Sequence, residues 1–265
     1  MKHLILFFSL LFCMTAFAQR KNTPISLFEE TEQEFKAKMV GTARNYVGLS
    51  IGFSLPDTKY GGITHSNNSG FAKNGWIFSA DAAYLLFRNV GLAGTLTLYG
   101  NGIKTAAYEQ DILRQLPNEI TGSLDKNKWF NFFTAIGPTI SLPEGKVVLD
   151  LRLLVGLTYT KSPTFDFNGT SNNLPIRIYQ AKTYGFAPTL IIGASMSYPI
   201  VAVDYDLRLF AKGELIASGS RLKTSQIISS DEYNINNNRN YRQATGIFAL
   251  TVGVRYEFGY AKQKK

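Results

Sequence analysis

The segment FALTVGVRYEFGY, residues 248–260, carries an apolar or aromatic side chain at every second position. Successive side chains on a β-strand point to opposite faces of the sheet. One face of this segment is therefore apolar, and the other carries small residues together with Arg255 and Glu257. The pattern predicts a strand with one apolar face and one polar face.

Two other segments, Val147–Tyr159 and Tyr205–Ser218, repeat this alternation over 13 and 14 residues. Strands of soluble domains usually run about five or six residues, whereas a tilted strand needs about 9 to 11 to cross a bilayer. In lipid, a sheet leaves no unpaired backbone groups only when it closes into a barrel. The length of the alternation therefore favours membrane-spanning strands.

The rest of the chain supplies five less regular strands of the same kind. They are Tyr46–Pro56, Gly75–Phe87, Leu92–Ile103, Lys128–Leu142 and Lys182–Tyr198. Because proline cannot donate to a β-ladder, we expect Pro138 and Pro188 to lie at a bulge or a strand end. The prediction is an all-β fold, an eight-stranded antiparallel up-and-down transmembrane barrel over residues 46–260.

Long and short connections alternate strictly between these strands. The long ones are Asp57–Asn74, Lys104–Asn127, Lys161–Ala181 and Gly219–Gln243, and the short ones are Arg88–Gly91, Pro143–Lys146 and Pro199–Asp204. Outer-membrane barrels have short periplasmic turns and long extracellular loops. We therefore expect both ends of the barrel in the periplasm and a cell outer membrane location.

The two ends of the chain read as segments outside the barrel. Leu4–Phe12 is apolar and Ala16-Phe17-Ala18 follows, which predicts a signal peptide over residues 1–18. A bulky Phe12 before Cys13 argues against a lipoprotein signal. Residues 19–45 are interpreted as a periplasmic segment, in which Pro24–Arg44 forms either a short amphipathic helix or a partly ordered tail. Residues 261–265 form a basic tail.

The composition excludes several classes of function. The net charge of +9 could suggest a nucleic-acid partner, but the predicted export argues against it. Outer-membrane lipid and lipopolysaccharide are the favoured partners. Alternatively, the positive charges are simply solvated residues of the loops. We find no Cys/His metal spacing, no phosphate-binding loop and no nucleophile elbow. No cofactor and no catalytic residue is predicted.

The predicted inward faces carry five acids and four bases. They are Asp81, Asp150, Arg152, Asp206, Arg208, Lys212, Glu214, Arg255 and Glu257. Side chains just fill the interior of an eight-stranded barrel, so we predict a paired charge network in the lumen. A narrow polar pore is the alternative.

Aromatic residues lie near both ends of the predicted strands, where the membrane interfaces are expected. The predicted interface aromatics are Trp76, Trp129, Tyr159, Tyr184, Tyr205, Phe258 and Tyr260.

These features resemble the small Gram-negative outer-membrane β-barrels of the OmpA/OmpX type, over about residues 46–260. The resemblance implies recognition of the last strand by the barrel assembly machinery, through Tyr256, Phe258 and Tyr260. The family usually ends on an aromatic residue, whereas here Ala261–Lys265 follow. The resemblance implies fold and location rather than activity. The long loops favour a structural or surface-interaction role, with a small pore or transport accessory as the alternative.

An N-terminal helix followed by a barrel is also similar in outline to the lipid A palmitoyltransferases, which act through an interfacial histidine. His65, beside Ser66, is the histidine in the predicted mature chain. It gives a second alternative, a lipid acyltransferase or deacylase. A periplasmic ligand-binding barrel resembling a lipocalin would instead require a polar outer surface.

Overall fold

The computed structural model describes residues 44–63, 70–87, 89–115, 120–171, 174–200, 204–230 and 234–258. It contains twelve strands: β1 Asn45–Pro56, β2 Ala72–Leu85, β3 Val90–Ile103, β4 Ile120–Lys126, β5 Trp129–Glu144, β6 Val147–Lys161, β7 Phe165–Ser171, β8 Leu174–Gln180, β9 Tyr184–Ile200, β10 Asp204–Ser230, β11 Asn234–Ala244 and β12 Ile247–Phe258. One helix, α1, spans Thr105–Gln115. No helix in these ranges is both long enough and apolar enough to cross a bilayer.

Eight of the strands close into an antiparallel barrel. The order around the ring is β1-β2-β3-β5-β6-β9-β10-β12, and β12 pairs again with β1 from Asn45↔Phe258 to Pro56↔Ile247. Every neighbour along the ring is the next barrel strand in the chain. The predicted eight-stranded up-and-down barrel is confirmed.

The outer surface of the barrel is apolar and the inner surface is polar. Leu151, Leu209 and Val252 are 43%, 56% and 59% exposed, whereas Arg152, Arg208 and Arg255, on the opposite faces of the same strands, are at most 6% exposed. A soluble barrel would show the reverse arrangement. A closed barrel with an apolar outer band is the sheet structure that spans membranes. The protein is an outer-membrane β-barrel protein.

The two prolines were expected at a bulge or a strand end. Pro188 instead lies inside β9, where it pairs with Leu157 on β6, although the ladder from β9 to β10 ends beside it at Thr189. Pro138 is neither at a bulge nor at a strand end, so that prediction is wrong. The β5–β6 ladder is interrupted at Gly137 and Pro138, since Pro138 has no amide proton to donate, and it resumes at Thr139 in the same register.

The short turn between β5 and β6 has the expected turn chemistry. Gly145 has a φ of +57° and is the first of two residues between the paired Glu144 and Val147. Glycine adopts this left-handed conformation without a Cβ clash, as the first position of a type II′ hairpin turn requires.

Three of the four long connections contain regular strands. The distal part of β10, Gly219–Ser230, pairs with β11 on one side and with β8 on the other. β7 pairs with β8, and β4 pairs with β7, so the order is β11-β10-β8-β7-β4. We call these five strands the loop sheet. β10 runs for 27 residues, which far exceeds the 9 to 11 that cross a bilayer, and so it continues out of the barrel into the loop sheet.

The loop sheet has a small core of its own. Phe167, Ile176 and Ile178 are buried together, and Tyr108 from α1 packs against them. The Tyr108 ring also stacks on Phe165 with 4.2 Å between centroids. The helix therefore covers part of one face of the loop sheet.

Candidate functional site

Strand alternation brings the predicted inward charges into the barrel interior. Eight of the nine are buried: Asp81, Asp150, Arg152, Arg208, Lys212, Glu214, Arg255 and Glu257. They extend from β2, β6, β10 and β12. The ninth, Asp206, lies at the short-turn end of β10, and its side chain is 33% exposed.

The first group of charges is a closed set of four. Arg152 donates from Nη1 to Asp81 Oδ1 at 2.8 Å and from Nε to Glu214 Oε1 at 2.9 Å. Lys212 Nζ lies 2.9 Å from Asp81 Oδ2 and 3.0 Å from Glu214 Oε2. Each base thus contacts both acids, and the group has no net charge.

The second group is a chain of four charges. Arg255 contacts Asp150 through Nη1 and donates from Nη2 to Glu257 Oε1 at 2.7 Å. Arg208 Nε lies 3.3 Å from the same Glu257 oxygen. The Arg255 guanidinium also lies 4.5 Å from the centroid of the Tyr46 ring, within cation–π range. This group too has two acids and two bases.

Neutral groups add further hydrogen bonds to the second group. Asp150 accepts from Ser141 Oγ at 2.5 Å and from Ser195 Oγ at 3.1 Å. Arg208 donates to Ser197 Oγ at 3.1 Å and to the backbone oxygen of Lys146. A buried ion pair is tolerated when such bonds satisfy the remaining polar atoms.

Sequence reasoning missed one charge of the interior. Arg44, directly before β1, contacts Asp206 through Nη1, and both side chains are partly exposed. With Arg44, the described residues of the interior and of its short-turn opening include five acids and five bases. The signal was available, because Arg44 has the same parity as Tyr46 on the inward face of β1.

An apolar layer lies above the charged one, toward the long connections. Its buried members include Ile77, Tyr99, Phe133, Leu154, Ile191 and Ile216. On each charged strand the apolar residue is nearer the long-connection end: Leu154 follows Arg152 on β6, and Ile216 follows Glu214 on β10. The charged groups are thereby separated from the long-connection end of the barrel.

The first long connection folds over this end. Tyr60 is fully buried, and its hydroxyl accepts a bond from Asn131 Nδ2 at 3.1 Å. Its ring packs in a T-shaped arrangement against Trp129, with 5.5 Å between the ring centroids. Burial raises the pKa of the Tyr60 hydroxyl well above its ordinary value, so this group stays neutral. We call Tyr60, Gly70, Phe71 and Trp129 the cap.

Trp129 was expected among the interface aromatics, and the structure corrects this. The side chain is 3% exposed, and Nε1 donates to Gly70 O at 3.0 Å inside the barrel mouth. The reason is strand parity, because Trp129 shares the inward face of β5 with Asn131 and Phe133. Its indole N–H is satisfied there by a backbone carbonyl.

The other predicted interface aromatics divide by position. Trp76, Tyr184 and Phe258 point outward and are 46%, 47% and 41% exposed. Tyr159 is half-buried and stacks on Tyr184 with 5.8 Å between ring centroids. For Tyr205 the backbone lies in β10 but the side chain is outside the described set, and Tyr260 lies outside the described residues altogether.

No metal centre is found among the side chains that the structure describes. His65 and Ser66, the pair considered for acyl transfer, lie outside the described residues, as does most of Pro24–Arg44. The site defined by the described residues is therefore the packed interior together with the cap.

Comparison with known proteins gives matches to solved structures. No protein-family model and no curated protein matches it. Among solved structures, Neisserial surface protein A has 14% identity and a TM-score of 0.39, with 82% of this chain and 99% of that one covered. Ail of Yersinia pestis has 14% identity and a TM-score of 0.38, with 81% and 100% covered. A major outer membrane protein of Thermus thermophilus has 12% identity and a TM-score of 0.43, with 82% and 100% covered.

Proposed function

We propose that this protein is a sealed, non-enzymatic membrane anchor that presents the loop sheet at the cell surface for interaction with other molecules. The observation that carries the proposal is the division of the chain into two built parts. One is a barrel whose interior is occupied by paired charges, an apolar layer and the cap. The other is a sheet with its own buried residues and a partner helix.

The packed interior argues for an anchor rather than a channel. A water-filled pore needs an open polar path, whereas Ile77, Tyr99 and Leu154 are fully buried within the barrel. We expect no stable open pore of nanosiemens conductance when the purified protein is inserted into planar lipid bilayers. A reproducible single-channel conductance of that size would favour the pore or transport accessory instead.

The regular structure of the long connections favours a recognition role. A folded sheet holds its exposed side chains in fixed positions and so lowers the entropy lost on binding. On the face away from the small core, Arg177 donates to both Asp166 oxygens, at 2.9 and 2.6 Å. Such fixed polar groups are suited to binding a partner of defined shape.

Surface proteolysis of intact cells tests the orientation that this role requires. We expect cleavage within Lys104–Asn127 or Gly219–Gln243, with the membrane-spanning strands protected. Lysed cells provide the comparison, since the protease then reaches both sides of the membrane. Cleavage of these segments only after lysis would contradict the proposal.

The enzymatic alternative remains testable through His65. Lipid acyltransferase or deacylase activity on labelled phospholipid or lipid A that is lost in His65→Ala would contradict the non-enzymatic proposal.

For assembly, we propose that the barrel assembly machinery binds β12, whose outward Tyr256 and Phe258 are 46% and 41% exposed.

A further inference from the structure

The lipid-facing surface carries a concentrated group of aromatic rings near the long-connection ends of β5, β6 and β9. On β6, Tyr159 pairs with Phe132 on one side and with Phe186 on the other. The centroid of the Tyr159 ring lies 5.1 Å from that of Phe186 and 5.8 Å from that of Tyr184. We call Phe130, Phe132, Tyr159, Tyr184 and Phe186 the aromatic patch.

Three lysines border this patch. Lys161 pairs directly with Phe130 on β5 and with Tyr184 on β9, so its side chain lies on the same outward face. Lys128 and Lys182 are exposed, and each lies two residues before an aromatic of the patch. The patch thus has an apolar area toward the membrane and positive charge at its long-connection edge.

The basic residues of the described chain are distributed unequally between the two ends of the barrel. At the long-connection end, Lys73 and Lys104 are exposed, and the three lysines of the patch add to them, with Lys161 half-buried. At the short-turn end the described bases on the rim are Lys146 and Arg44, and Arg44 is paired with Asp206. More of the described basic residues therefore lie at the rim that the proposed orientation turns toward the outer leaflet.

We propose that the aromatic patch with Lys128, Lys161 and Lys182 is a binding site for a phosphorylated, multiply acylated glycolipid of the lipid A class. The acyl chains pack against the rings, and the lysine ammonium groups bind the phosphates at the interface. Lysine provides a compact charge with three donors on a flexible stem, which suits a phosphate whose depth varies. The inference rests on the outward orientation of the long connections in the proposed function.

Direct binding to the purified protein tests this site. The protein is placed in phosphatidylcholine nanodiscs, bis-phosphorylated lipid A is added, and bound lipid is counted by native mass spectrometry. We compare the wild type with the double variant Lys161→Gln/Lys182→Gln and with the matched control Lys146→Gln at the other rim. Heat-modifiable migration on gels confirms that each variant is folded.

We expect about fivefold weaker binding for each lysine removed, and thus about 25-fold for the double variant. Lys146→Gln binds as the wild type does, and Lys161→Arg retains the affinity because its charge is kept. Dephosphorylated lipid A binds more weakly than the phosphorylated form.

Three results would overturn the inference. They are unchanged binding in the folded double variant, equal binding of dephosphorylated lipid A, and equal displacement by phosphatidylglycerol, which would show that any anionic lipid suffices. None of them bears on the proposed function, because surface proteolysis of cells reports the orientation of the long connections separately. Loss of the glycolipid site alone would leave the anchor proposal standing.

Discussion

Arg152 is the residue on which the first group of buried charges depends, because it contacts both Asp81 and Glu214. Replacing it with alanine leaves two buried carboxylates with one shared base, Lys212. Removing one partner of a buried pair typically costs about 3 to 5 kcal/mol. We therefore expect Arg152→Ala to unfold in detergent micelles at a clearly lower urea concentration than the wild type. Unfolding is measured by heat-modifiable migration on gels.

The matched control for this prediction is Arg177→Ala. Arg177 also makes a two-bond contact with a carboxylate, but its side chain is 55% exposed in the loop sheet. Exposed pairs contribute little to stability, so its urea midpoint should stay near that of the wild type. Equal midpoints for Arg152→Ala and the wild type would mean that the interior pairs do not stabilise the barrel.

Strand parity explains which individual residues can be placed from the sequence. Parity puts Arg152, Arg208 and Arg255 on the inward faces of their strands, and all three are buried. The interface assignment of Trp129 failed because nearness to a strand end was given more weight than parity. The ion pairs within each group join residues far apart in the chain. Strand alternation does not give the register between neighbouring strands, so these pairs could not be derived from the sequence.

At the scale of the strands, Gly52 allows β1 and β12 to approach closely where the barrel closes. A Cβ at this position would lie 1.9 Å from the backbone oxygen of Leu250. The backbone must then shift, and overpacking typically costs about 1 to 3 kcal/mol. We expect Gly52→Ala to lower the urea midpoint for unfolding in micelles.

Gly94→Ala on β3 provides the control. The nearest atom to a Cβ there is Ala135 O at 3.7 Å, which is an ordinary contact. This variant should be as stable as the wild type or slightly more so, because alanine restricts the unfolded chain. A loss of stability as large as that of Gly52→Ala would contradict the close approach at the β1–β12 seam.

The β7–β8 hairpin of the loop sheet should respond to acid through Asp166. Hydrogen bonds from Arg177 lower the pKa of the Asp166 carboxyl. Because the folded pKa lies below the unfolded one, the pair stabilises the hairpin above the unfolded pKa, and this contribution is lost as the pH falls through the folded pKa. An NMR titration should give a midpoint below the ordinary value of about 3.9.

In Arg177→Ala the midpoint should return toward that ordinary value. A wild-type Asp166 that titrates at its ordinary pKa would show that the two-bond contact does not form in solution.

The loop sheet also marks the limit of what the sequence reveals about elements. Phe165, Phe167, Ile176 and Ile178 alternate with polar residues, which is a strand pattern. The runs are only seven residues long and stand in Asn-, Ser- and Gly-rich surroundings. They are held by the pairing of β8 with β10 and by Tyr108 on α1, and neither contact is local in the sequence.

At the scale of the whole molecule, the fold follows from the separation of apolar and polar residues to the two sides of one closed wall. That separation is periodic, and it repeats in eight strands, so the architecture could be predicted together with its strand number and order. The inward charges could be predicted as well, but the apolar layer and the cap could not, because they depend on strand tilt and on the inward course of the first long connection.

The most direct test of this account is to measure which solvent surrounds the outward side chains. The single cysteine, Cys13, lies in the predicted signal peptide, so spin labels can be attached at Leu151→Cys, Leu209→Cys and Val252→Cys, with Lys223→Cys as the water-exposed control. In reconstituted bilayers we predict that the first three labels collide mainly with lipid-soluble oxygen and the control mainly with a water-soluble nickel complex. Labels at Leu151, Leu209 and Val252 that report water would contradict the membrane-spanning barrel.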